Sequence, residues 1–76
     1  MGGKVMKGSE FIKRVQKLAK ARGVLCSWHA DMGKGSHGVL KFGGARTVVR
    51  NPKDELKTGT YHAMLKQLEL TDKDLF

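Results

Sequence analysis

The sequence reads as an α+β domain built as helix, three antiparallel strands, helix, with both helices on one face of the sheet. Three observations carry that reading. Apolar residues recur at helical spacing between Ser9 and Arg22, a Gly43-Gly44 pair separates two short β-like runs, and a second amphipathic segment spans Thr58 to Leu68. The 76 residues suit one domain. A domain of this size buries only about 60% of its unfolded surface. That leaves one thin core and no deep substrate cavity, so function belongs on a surface or in a shallow groove.

Each element has a local reason. Ser9 is placed as the N-cap of helix one, with Glu10 in the first turn where the helix dipole favours an acid. Phe11, Ile12, Val15, Leu18 and Ala19 form the apolar stripe, Lys13, Arg14, Lys17 and Lys20 lie on the other side, and Gly23 is the stop signal. Val24 to Ala30 reads as strand one, although Leu25 breaks its alternation. Asp31 to Gly35 reads as a loop, and His37 to Phe42 as strand two. Gly43-Gly44 is a two-residue hairpin turn leading into strand three, Ala45 to Arg50, which Asn51-Pro52 ends. Lys53 to Lys57 is expected to be a polar connection. Helix two, from Thr58 or Thr60 to about Leu68, puts Tyr61, Met64, Leu65 and Leu68 on one face. Thr71 to Asp74 resembles a capping box opening a last short turn. Residues 1–8 are expected to form a flexible extension, with Met6 a candidate natural start.

The hairpin turn dictates a register. Phe42 faces Ala45, Lys41 faces Arg46, Leu40 faces Thr47, Val39 faces Val48, Gly38 faces Val49 and His37 faces Arg50. One face is then apolar and suited to meet the helices. The other carries His37, Lys41, Arg46 and Arg50 around Val39 and Val48. A one-residue slip would move His37 to the helix side.

Charge narrows the partner. Fifteen Lys and Arg against seven Asp and Glu give a formal +8. That excess points to nucleic acid first, an anionic membrane surface second and an acidic protein third. The lone cysteine, Cys26, excludes an internal disulfide and a cysteine-built zinc site, and the three histidines lack metal-ligand spacing. No stretch is long and apolar enough for a signal peptide or a membrane span, and a cytoplasmic location is expected.

RNA supplies its own nucleophile, the 2′-hydroxyl. A protein that cleaves it needs an acid or base active near neutrality, donors for the developing charge on phosphorus, and a grip on the strand. His37 offers the first, the side chain of Lys34 and the backbone N–H groups of Gly35 and Ser36 the second, and Lys41, Arg46 and Arg50 the third. A Gly-Ser-His run also suits an ordinary strand histidine, and spacing alone does not separate the two. No Asp or Glu is placed to make a Ser-His-Asp triad with Ser36. His29 is either a second proton carrier or a surface strand residue, and His62 is a helix-surface residue. Trp28 is either a base-stacking platform or core.

Four segments carry a family resemblance: MKGSEFIKRVQKL from Met6, GKGSHGVLKF from Gly33, ARTVVRNP from Ala45 and ELKTGTYHAMLKQLEL from Glu55. Together they resemble the HicA family, the messenger-RNA-cleaving toxins of bacterial type II toxin–antitoxin systems, over about Met6 to Leu70. The resemblance implies a double-stranded-RNA-binding-like fold, His37 as the catalytic histidine, and translation-independent cleavage of messenger RNA leading to growth arrest. It also implies a cognate HicB-type antitoxin that masks the active site. The expected protein needs no cofactor or metal and is a monomer when free. Three departures stand out. Gly38 occupies a position where many members have a second histidine, Asn51 occupies another, and the segment from His29 to Lys34 is longer than in the shortest members. A noncatalytic RNA-binding module of the same fold is the alternative.

Overall fold

A computed structural model describes residues 4–30, 38–50 and 52–75. In chain order the elements are β1 (Lys4–Lys7), α1 (Gly8–Arg22), β2 (Cys26–Ala30), β3 (Gly38–Phe42), β4 (Ala45–Val49), β5 (Glu55–Lys57), α2 (Thr58–Gln67) and α3 (Asp72–Leu75). The central feature is a three-stranded antiparallel sheet of order β2-β3-β4. The described pairs of the β3–β4 hairpin, from Gly38↔Val49 to Phe42↔Ala45, match the register that the glycine turn dictates. Gly43 takes φ +59, a conformation that costs glycine nothing. The expected pair of His37 with Arg50 falls outside the described residues.

The inner face of this sheet meets the helices. Leu40, Phe42, Thr47 and Val49 are buried there beside Phe11, Ile12, Val15 and Ala19 of α1 and Tyr61, Met64 and Leu65 of α2. The imperfect alternation before β2 resolves simply. Val24, Cys26 and Trp28 pack against the core, while Leu25 stands 89% exposed. The one buried polar side chain of the described core, Thr47, donates its hydroxyl to Oε1 of Gln67 and is thereby satisfied.

Three expectations are corrected. The stretch 4–8, expected to be flexible, forms β1 and opens α1, and Met6 is only 5% exposed. The expected polar connection Lys53–Lys57 contains β5, which pairs antiparallel with β1 and buries Leu56. Both strands are too short to show a period, and their pairing joins segments far apart in the chain. Ser9 is likewise not a cap, because α1 already starts at Gly8 and Lys7 at the cap position makes no side-chain bond. The orphan N–H groups of Gly8 and Ser9 donate instead to the carbonyls of Asp54 (2.9 Å) and Pro52 (2.8 Å).

The helix ends follow local rules. Gly23 adopts φ 69, its N–H donates to the carbonyl of Lys20, and Val24 N–H donates to Ala19, which closes a Schellman motif. The end of α2 uses the same pattern through Glu69 N–H to Lys66 and Leu70 N–H to Leu65. There Glu69 takes φ 60 without being glycine, a strain of about 1–2 kcal/mol. Of the expected capping box, the half in which the acid reaches back to the N-cap N–H is present, whereas Asp74 N–H donates to the Thr71 carbonyl at 3.0 Å and not to its hydroxyl. Thr71 N–H and hydroxyl both donate to Oδ2 of Asp74, at 2.8 and 3.1 Å. Those bonds, with Arg22 on the other oxygen, hold the Asp74 carboxyl below its usual range.

Candidate nucleic-acid interface

No described element covers the side of the sheet away from the helices, and strand periodicity decides what stands on it. Ser27 and His29 of β2, Val39 and Lys41 of β3, and Arg46 and Val48 of β4 share this face. They form two cross-strand rows. Ser27 lies opposite Lys41, and Lys41 opposite Arg46. His29 lies opposite Val39, and Val39 opposite Val48. Lys41, Arg46 and His29 are exposed, and Val48 is 54% exposed.

The Lys41–Arg46 pair is the electrostatic centre of the face. Like charges directly opposite each other in a sheet are destabilising, and no carboxylate among the described residues forms an ion pair with either. Their neighbours on the face are a serine, a histidine and two valines. Two cations held side by side with no described acid beside them form a local site of positive potential that can attract an anion. A shallow groove lined by Val39, Arg46, Thr47, Val48 and Gln67 continues the face over the β4 edge.

Ser27 and His29 add a hydrogen bond, Ser27 Oγ to His29 Nε2 at 2.8 Å. This pair sits in the same grid as the two cations, which makes His29 a stronger candidate than its place in the sequence suggests. The signal was available, since residues two apart on a strand share a face.

The expected site residues separate into three groups. Lys41 and Arg46 come together as expected. Arg50 is exposed in the bend after β4 and lines a different groove, with Asp54, Glu55 and Lys57, where the charge is mixed. Lys34, Gly35, Ser36 and His37 lie outside the described residues, as does Asn51. Among the described residues no three His, Cys, Asp or Glu side chains cluster as a metal site requires. None of the described helices is long and apolar enough to cross a membrane.

Trp28 is core-facing and not a stacking platform. Its indole fills the space where a Cβ on Gly38 would stand, 2.4 and 2.5 Å from ring carbons Cη2 and Cζ2. Gly38 is therefore a packing requirement in this chain. Cys26 packs against the same core, and burial pushes its thiol up, away from thiolate chemistry.

Comparison of the chain with family models, with curated proteins and with solved structures finds no match.

Proposed function

We propose that this chain is an RNA-cleaving toxin of the HicA type. In this reading it has a double-stranded-RNA-binding-like fold, acts in the cytoplasm and is neutralised by a HicB-type antitoxin. RNA lies along the open face of the sheet, its backbone held by Lys41 and Arg46. His37 removes the 2′-hydroxyl proton, and the attached phosphate is cleaved without a metal ion. Lys34, Gly35 and Ser36 donate to the phosphate, and Arg50 extends the cationic track. The observation that supports this most is the unneutralised Lys41–Arg46 pair on a face that holds no described acid. The resemblance of the Gly33–Phe42 run to the family's catalytic segment supplies the chemistry.

The test is induced expression of the parent chain beside His37→Ala, scoring growth and messenger RNA integrity. The parent is expected to arrest growth and fragment messenger RNA within minutes. His37→Ala should lose at least about 100-fold in cleavage rate. Equal toxicity and cleavage by both chains would remove His37 from the reaction. Harmless expression of the parent with intact RNA would remove the toxin reading. The Lys41–Arg46 pair is equally what a noncatalytic RNA-binding module would carry. That second reading predicts salt-sensitive binding without cleavage products.

A further inference from the structure

We infer that His29, positioned by Ser27, is the general acid of the RNA cleavage proposed above. This rests on the reading of the chain as a ribonuclease and adds the group that protonates the leaving oxygen. Three features on the open face carry it. First, His29 projects from β2 to the same side as Lys41 and Arg46, and it lies diagonal to Lys41, whose directly opposite partner is Ser27. Diagonal neighbours in a sheet stand about 7–8 Å apart at the backbone, within reach of long side chains. Second, the imidazole is not simply solvated. Its Nε2 is bonded to Ser27 Oγ at 2.8 Å, which restrains the ring and leaves Nδ1 outside that bond. Third, the pair has no described structural duty. His29 is exposed on a face that packs against no described element, so the bond holds no core together.

In the proposed site the scissile phosphate lies between Lys41 and His29, diagonal neighbours, and Arg46, two strands from His29, holds the RNA backbone beside it. The reaction balances with the groups present. The 2′-oxygen, its proton taken by the base, bonds to phosphorus while the P–O5′ bond breaks. The electron pair goes to O5′, which receives the proton of the His29 imidazolium. The products are a 2′,3′-cyclic phosphate and a 5′-hydroxyl, and no further reactant is consumed. Ser27 acts through His29, by accepting from Nε2–H when the ring is protonated. It is a positioning residue.

The experiment compares single-turnover cleavage of two RNAs that differ at one mapped bond. One carries the ordinary 5′ oxygen and the other a bridging 5′ sulfur, which departs without a proton. Parent, His29→Gln and Ser27→Ala are compared, with circular dichroism to check the fold. Loss of a general acid costs about 100-fold or more on the oxygen substrate. His29→Gln is expected to show that loss and to cleave the sulfur substrate within about threefold of the parent, on the same scale. Ser27→Ala should show the same selective defect, smaller by about tenfold, on the scale set by general acid catalysis. His29→Gln as fast as the parent on oxygen, or equally slow on both substrates, would overturn the assignment while leaving the ribonuclease reading intact. A parent chain that cleaves neither RNA would overturn both.

Discussion

Two surfaces carry much of the positive charge of this molecule, and they differ in how that charge is held. The outer side of α1 has the greater number of cations: Lys13, Arg14, Lys17, Lys20 and Arg22. Two of the five have acceptors beside them. Arg14 pairs with Glu10 at 2.9 Å and donates to the Leu75 carbonyl, and Arg22 binds Asp74 at 2.6 Å. The bonds to Leu75 and Asp74 tie α3 to α1. The open face of the sheet has only Lys41 and Arg46 among its described outward residues, yet no described carboxylate answers them. Counting basic residues would select the helix, where Arg14 and Arg22 are paired and no partner is described for Lys13, Lys17 or Lys20. What sets the sheet apart is that its two cations stand directly opposite each other on a face with no described acid.

That contrast can be sharpened at three points, beginning with the largest effect. Gly38→Ala tests whether the inner face is full. Its Cβ would meet the Trp28 ring at 2.4 Å and the His29 carbonyl at 2.9 Å. Overpacking of this kind costs about 2–3 kcal/mol, or a fall in Tm of roughly 10–20 °C for a domain this small. Thermal unfolding followed by circular dichroism measures it. A fall under about 3 °C on the same scale would mean that Trp28 moves freely and that the inner face has room for a ligand.

Tyr61→Phe tests the seam between the helices. The buried Tyr61 hydroxyl donates to Asp72 at 2.6 Å, and its ring meets Phe11 edge-on with centroids 6.0 Å apart. Burial first, then the bond to Asp72, pushes the phenol above its ordinary value. A group whose folded pKa is raised contributes stability that is fully present below its unfolded value. For tyrosine that is about pH 10, and the contribution is lost as pH rises through the folded pKa. Removing the hydroxyl should cost about 1–1.5 kcal/mol at neutral pH. The difference between parent and variant should shrink as pH rises above about 10. Denaturant unfolding at several pH values checks both. RNA affinity should not change, because the seam lies on the other side of the molecule from the open face.

Much of this arrangement is legible in the sequence, for identifiable reasons. The stripe from Phe11 to Ala19 and the Gly43-Gly44 turn are strong local signals, and the turn carries the β3–β4 register with it. That register brings Lys41 beside Arg46. The register of β2 was not readable, because the connection to β3 offers no two-residue turn to fix it. The packing of Trp28 under Gly38 and the alignment of Ser27 with Lys41 depend on that register. The pairing of β1 with β5 was hidden by short length and long separation. The cap role expected of Ser9 went to loop carbonyls contributed by Pro52 and Asp54, which only tertiary structure brings near. Glu69 in a left-handed conformation was invisible for the opposite reason, since sequence rules expect glycine there.

The most direct measurement removes two charges from each surface and compares them. Lys41→Ala/Arg46→Ala and Lys13→Ala/Lys17→Ala lower the net charge equally. Fluorescence anisotropy with a labelled single-stranded RNA, titrated at several salt concentrations, reads affinity and its salt slope. Each phosphate that the protein no longer neutralises should reduce the slope by about 0.7 for a single strand. The sheet variant is therefore expected to bind at least about tenfold more weakly, with a slope shallower by about 1.4. The helix variant should stay within about threefold of the parent, with its slope unchanged. Equal losses in the two variants, or a larger loss in the helix variant, would contradict the assignment of RNA to the open face of the sheet.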